Sequence, residues 1–215
     1  MILSFYLITR IFLNIGMALY IKSIENLINE FKKLPGIGPK SAKRIVYYLL
    51  KVSPKEILRF SQALVEMKEK VQFCKICFNL SEDDVCDICR DALRDQKKIC
   101  IVEEVGDVAI IEGTGNYRGL YHVLNGLLSP IENIGPDEIK IPQLLQRIKN
   151  LETEEVIIAL NPTVEGESTA TFLKNVIKPL EIKITKLASG LPVGGDIEFA
   201  DEITLSRAIA DRKEM

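Results

Sequence analysis

Tryptophan is missing from the 215 residues, and histidine occurs once, at His122. One imidazole argues against a His-dominated metal centre and against a His-based acyl-transfer triad. Internal repeats and low-complexity segments are also missing. So is a long uninterrupted apolar run. The opening MILSFYLITRIFLNIG is strongly apolar, but Arg10 and Asn14 break it. Counting on to Ile21 still leaves Arg10 near the middle of what would have to be a span of roughly 20 apolar residues. The basic start and small-residue cleavage site of a secretory signal are lacking too. Met17 is therefore read as the true start, with residues 1–16 a non-native or unstructured extension; the alternative is a membrane-surface anchor. Net charge is only −2. The protein as a whole does not announce a nucleic-acid partner, and local charge has to be read instead.

What is present is ordinary globular composition, 47% hydrophobic and 27% charged, enough for a buried core in one or two domains. Apolar residues Ile24, Leu27, Ile28 and Phe31 recur at three- and four-residue steps, which predicts an amphipathic helix over 21–34. It stops at Leu34-Pro35-Gly36-Ile37-Gly38. Pro39 suits the first position of a second helix reaching Leu50. Ser53-Pro54-Lys55-Glu56 is a capping box opening a third helix toward Val71. Beyond Cys89 short apolar runs alternate with helical patterns. Residues 99–102, 121–124, 156–160 and 182–187 read as strands, and 107–111, 137–151 and 168–177 as helices. That alternation predicts a mostly parallel sheet with covering helices. A Gly-rich loop from Gly190 and a short helix near 205–212 complete the chain.

Three strings carry chemistry. In the first, Gly36 and Gly38 permit a tight turn with amides bare of side chains, leading into a helix N-terminus, an arrangement that favours a phosphate. Ile37 would plug the core beneath the turn. Between Lys32 and Arg59 there are eight Lys or Arg and one acid, Glu56. Such a block in a slightly acidic protein indicates a nucleic-acid face. Lys40 and Arg44 lie four apart on one helical face and are the leading candidates for DNA binding, with Lys43 beside them. The string resembles the helix-hairpin-helix motif, which contacts phosphates rather than bases. The competing reading is a helix turn with a solvated basic face.

In the second string, Cys74-Lys-Ile-Cys77 and Cys86-Asp-Ile-Cys89 offer four soft ligands for one closed tetrahedral Zn²⁺ site. With all positions filled by Cys, the ion is structural and one per chain. An odd cysteine count in paired spacing fits a reducing compartment better than a disulfide framework. Cys100 is read as a buried strand residue.

The third string is acidic. Glu103 follows one hydrophobic strand, and Asn161-Pro-Thr163-Val-Glu165-Gly166-Glu167 follows another. Two parallel strand ends can bring Glu103 and Glu165 to one crevice. The pattern resembles the Toprim domain of topoisomerases and primases, in which a Glu and an Asp-x-Asp pair hold Mg²⁺ for phosphoryl transfer. Here Asn161 and Thr163 stand where the two Asp belong, so the carboxylate ligands that Mg²⁺ prefers are depleted. Glu103, Glu165 and Glu167 are left as a surface for partner docking, for residual metal binding, or for solvent. A Mg²⁺-dependent nuclease, primase or topoisomerase-like enzyme is the alternative.

The order of helix-hairpin-helix, four-Cys segment and degenerate Toprim is similar to the RecR family of bacterial recombination proteins. Tyr117-Arg-Gly-Leu-Tyr-His122-Val-Leu, Leu128-Ser-Pro-Ile, Ile134-Gly-Pro and Ala188-Ser-Gly-Leu-Pro-Val-Gly-Gly-Asp196 look like the family's later stretches, and the likeness covers roughly residues 23–212. The expected fold is α/β: an extension at 1–16, an all-helical helix-hairpin-helix region at 17–72, a four-Cys zinc finger at 73–90, a Toprim-like domain at 98–189 and a C-terminal oligomerisation or tail segment at 190–215. The resemblance implies a non-enzymatic, cytoplasmic, nucleoid-associated mediator of DNA repair. It implies sequence-independent binding to single- and double-stranded DNA and work with RecO and RecF to load RecA onto single-stranded gaps. It further implies a homotetramer, a dimer of dimers able to encircle DNA, without a small-molecule substrate and without a membrane. His122 lies in a family string, but its own reading is a packed or hydrogen-bonded strand residue.

Overall fold

A computed structural model describes residues 21–188, 190–191 and 194–212. The opening extension, the start at Met17, and Ser189, Pro192 and Val193 of the Gly-rich string lie outside the described residues. The chain divides into two compact units after Glu69.

The first unit is helical: α1 (Lys22–Phe31), α2 (Pro39–Leu49) and α3 (Pro54–Lys70). Pro39 starts α2 because the missing N–H falls where no intrahelical bond is made. The Ser53–Glu56 box caps the start of α3: Glu56 N donates to Ser53 Oγ and Ser53 N to Glu56 Oε2, both at 3.3 Å. A small core of Ile28, Ala42 and Val46 is completed by Ile24, Phe31 and Ile37, so Ile37 does plug the turn from below.

The second unit opens with a zinc-finger-sized segment: a minimal hairpin of β1 (Gln72–Phe73) and β2 (Leu80–Ser81), then one turn of helix, α4 (Asp87–Arg90). A four-stranded sheet follows, built from β3 (Asp95–Val102), β4 (Gly119–Val123), β5 (Glu155–Ala159) and β6 (Lys183–Lys186). All neighbours are parallel, in the order β4-β3-β5-β6. The connecting helices are α5 (Val105–Gly113), α6 (Ile141–Asn150) and α7 (Val164–Ile177); α8 (Glu202–Ala210) comes last.

Strand alternation sorts the apolar residues onto two faces. Ile99, Ile101, Val156 and Ile158 point to one, where α6 and α7 supply Leu144, Ile148, Leu173 and Ile177. Cys100, Val102, Tyr121 and Val123 point to the other, against Val108 and Ile111 of α5 and against Phe78 and Ile88 of the Cys-rich segment. A sheet covered on both faces reads in sequence as continuous hydrophobic runs, which is how these strands are legible. Each fully buried Ile or Leu contributes roughly 1.5–3 kcal/mol.

Several boundaries move. β3 begins at Asp95 rather than 99, because its polar first half, Asp-Gln-Lys-Lys, is irregular in register and partly solvated. The helix expected from 137 starts only at Ile141, since Pro142 belongs in a first turn and not in a helix interior. α7 starts four residues early, at Val164, capped by Thr163 Oγ1, which accepts from Gly166 N at 3.0 Å. α8 starts at Glu202 because Asp201 is its cap.

Candidate functional site

Three places carry the residues singled out above. In the first unit, Gly36 sits at φ +77°, the left-handed conformation that favours glycine. Gly38 is different: at φ −79° it is an extended cap with open space around its α-carbon. Its contribution is bareness, not conformational freedom. Lys40, Lys43 and Arg44 are exposed on the first turns of α2. Among the described residues, Lys40 and Arg44 make no ion pair, whereas Lys33 is held by Glu30 at 2.7 Å.

In the second unit, Cys74, Cys77 and Cys86 are buried and Cys89 is half-buried, all as free thiols. Their Sγ atoms lie within 4.8 Å of one another, and Cys77 and Cys86 approach to 3.5 Å. A tetrahedron with Zn–S bonds of about 2.3 Å has S···S edges of about 3.8 Å, so this cluster fits one Zn²⁺. Among the described residues it is the group of three or more Cys, His, Asp or Glu whose ligand atoms converge. Cys86 N donates to Cys74 Sγ at 3.3 Å. Phe78, at φ +63°, turns the first knuckle over and packs edge-on to His122 at 5.4 Å. Val123 N of β4 donates to Cys77 O at 2.8 Å, which ties the finger to the sheet edge. Cys100 stands apart in the sheet, its thiol pushed up to about 12 by burial.

The third place is the crevice at the carboxyl ends of β3 and β5. The strand order reverses there, since β4 lies to one side of β3 and β5 to the other. Asn161 Nδ2 donates to Glu103 Oε2 at 2.9 Å. Thr163 is occupied in capping α7. Glu167 takes Lys186 Nζ at 2.7 Å and Arg207 Nη1 at 3.5 Å, and the Lys186 hydrogen bond holds its carboxyl below the usual range. The Glu165 carboxylate is exposed and unpaired among the described residues. A crevice of about 490 Å³ opens beside them, lined by Asn161, Lys186, Thr204 and Arg207. Of the positions where a Toprim domain would present carboxylates, 103 keeps its Glu, 161 carries an amide that donates to it and 163 a helix cap, while the neighbouring Glu167 is paired with two internal cations.

His122 is fully buried, its Nε2 2.8 Å from Lys140 O. Burial lowers its pKa from 6.5 to about 4, so it is the packed strand residue its context suggested. Sequence reasoning missed Arg147, Lys186 and Arg207. Arg147 had left a signal: a cation between Leu144 and Ile148 on the apolar stripe of α6. The two cations around Glu167 left none, because their meeting depends on the fold. No helix among the described residues is long and apolar enough to cross a membrane.

Together these features define a class: a Toprim protein preceded by a hairpin of helices and a four-Cys zinc finger. Family models agree along the chain: the RecR helix-hairpin-helix over residues 24–68, the RecR four-cysteine zinc finger domain over 71–91, the Toprim domain over 97–188 and the RecR C-terminal region over 190–213. The chain is 54% identical over 196 residues to Recombination protein RecR of Bifidobacterium animalis, covering 91% of this chain and 98% of that one. It is 52% identical over 190 residues to the Nocardioides protein of that name, covering 88% and 96%. With the Staphylococcus aureus protein of that name it shares 50% over 196 residues, covering 91% and 99%. The chain belongs to the RecR family of recombination proteins, and its four paired cysteines form that family's zinc finger site for one structural zinc.

Proposed function

We propose that this protein is a non-enzymatic mediator of recombinational repair that binds DNA through the Gly36–Gly38 turn together with Lys40, Lys43 and Arg44. The observation that carries the reading is a contrast in how charge is committed. Lys40 and Arg44 are exposed cations without an ion pair among the described residues, beside a bare-amide turn. Two of the three acids of the Toprim crevice are instead engaged, Glu103 by Asn161 and Glu167 by Lys186 and Arg207. Phosphate contacts of this type give sequence-independent, salt-dependent binding to single- and double-stranded DNA alike. Family membership supports RecO and RecF as partners, RecA loading on gaps as the task, a DNA-encircling dimer of dimers as the working form, and the cytoplasm, at the nucleoid, as the place. The exposed Glu165 carboxylate favours partner docking at the crevice; it is also the feature on which a Mg²⁺-dependent reading would have to rest.

The test is binding of the purified full chain to labelled single strands and duplexes of unrelated sequence across a salt series. Lys40→Ala with Arg44→Ala should weaken binding to all of them alike and lower the salt slope by about two, one per lost phosphate contact. Undiminished affinity at low salt would overturn the assignment of this turn. Nicking or cleavage with Mg²⁺ that disappears in Glu103→Ala would overturn the non-enzymatic reading. Mass in solution with and without DNA tests encirclement: a tetramer is expected, and an obligate monomer counts against it.

A further inference from the structure

We propose that Arg147 is an outer-sphere ligand of the zinc centre, holding the Cys89 thiolate and making zinc retention depend on the sheet domain. Arg147 stands on α6 and is only 8% exposed. Its Nη1 donates to Tyr121 O of β4 and its Nη2 to Cys89 Sγ at 3.7 Å. Its Nε is buried without a partner, and among the described residues no Asp or Glu pairs with it. A buried guanidinium without a compensating anion is strongly unfavourable. The anion it reaches is a metal-binding sulfur.

The charges match. One Zn²⁺ held by four thiolates has a formal charge of about −2, and such a centre is stabilised by donors directed at its sulfurs. Within the finger, Cys74 Sγ receives the Cys86 amide. Cys89 is the least buried of the four, and its donor comes from 58 residues away in sequence. Both Tyr121 and Val123 lie on β4, which is an edge strand of the sheet. Arg147 takes the carbonyl of the first, and the Cys77 carbonyl takes the amide of the second. The finger thereby covers the sheet edge, and Arg147 spans from that edge to the metal centre. The coupling is reciprocal. Without Arg147 the thiolates lose a nearby positive charge, and without zinc the buried guanidinium loses its counter-charge.

The experiment uses the full zinc-loaded chain with Arg147→Met and Arg147→Lys. Transfer of zinc to a chromophoric chelator should be about tenfold or more faster in Arg147→Met, with Arg147→Lys in between because it keeps the charge. After Co²⁺ substitution, the thiolate-to-metal charge-transfer bands should move to lower energy in Arg147→Met and return toward the wild-type position in Arg147→Lys. Folding is checked by far-UV circular dichroism. Wild-type release rates and unmoved bands in folded Arg147→Met would overturn the proposal. Should that variant not fold, hydrogen exchange on the wild type decides. Stripping zinc should speed exchange in β4 and α6 while leaving α1–α3 unchanged, and unchanged exchange in β4 and α6 overturns the proposal.

Discussion

Asn161 donates its side-chain amide to the Glu103 carboxylate at 2.9 Å, across the ends of two parallel strands. An aspartate at that position could only accept. The pair would then be two carboxylates in contact, which need a cation or a shared proton between them. Asn161 thus does with one amide proton what a metal ion would do for a pair of acids.

This relationship predicts how magnesium should act on stability. Asn161→Asp with Thr163→Asp restores the two carboxylates, and Asp at 163 still caps α7. In metal-free buffer the double variant should lose up to about 1 kcal/mol, because the lost contact to Glu103 is solvent-exposed. Millimolar magnesium should return most of it, through binding to the folded state. Thermal unfolding with and without magnesium checks this. The wild type should not respond, and a wild-type Tm that rises with magnesium as much as the variant's would contradict the account.

Gly166 makes a second prediction about the same loop. A Cβ placed there would lie 2.0 Å from Asn161 O, so the backbone turn carrying Asn161 would have to move. Gly166→Ala should destabilise by about 1–3 kcal/mol and loosen the contact with Glu103. Gly106, within α5, is the control, because a Cβ there meets nothing within 4 Å. Gly106→Ala should be neutral or stabilising by up to about 1 kcal/mol. Denaturant unfolding of both variants separates crowding from a general intolerance of substitution.

Local features are legible in the sequence because their causes are local. The Ser53–Glu56 box, the Pro39 start, the paired Cys-x-x-Cys turns and the buried strand runs each announce themselves within a few residues. The start of α6 departs from expectation although Pro142 marks it. That of α7 departs because residues 161–167 read as the segment after a strand, whereas Gly166 already sits in the first helical turn, in close approach to Asn161. Gly38 reads as a conformational glycine and is a cap. What the sequence could not convey were pairings over long separations: Arg147 with Cys89, Lys186 and Arg207 with Glu167, Asn161 with Glu103. Each depends on the order of strands in the sheet. The depletion of acids at 161 and 163 is visible in the string itself, but the partners that occupy the remaining acids are not.

His122 supplies a pH prediction whose sign follows from its burial. Its folded pKa is about 4 against 6.5 for the free side chain. Between those values the unfolded chain binds a proton that the folded one refuses, so stability rises with pH across this window. Acidification from neutral pH toward 4 should therefore destabilise the second unit, by up to about 3 kcal/mol at roughly 1.4 kcal/mol per pH unit. Glu112 and Glu167 act in a different window. Arg94 hydrogen bonding depresses the first and Lys186 the second, from a reference value of 4.5. Their contributions are present above that value and are lost only as pH falls below it. His122→Gln removes the titrating group while retaining an amide able to meet Lys140 O. Its stability should be lower at pH 7 but flatter between pH 7 and 4.5, as read by urea unfolding. Zinc content is followed in the same samples so that metal loss in acid is separated from imidazole protonation. A variant whose stability falls as steeply as that of the wild type over this window, with zinc still bound in both, would remove His122 as the cause.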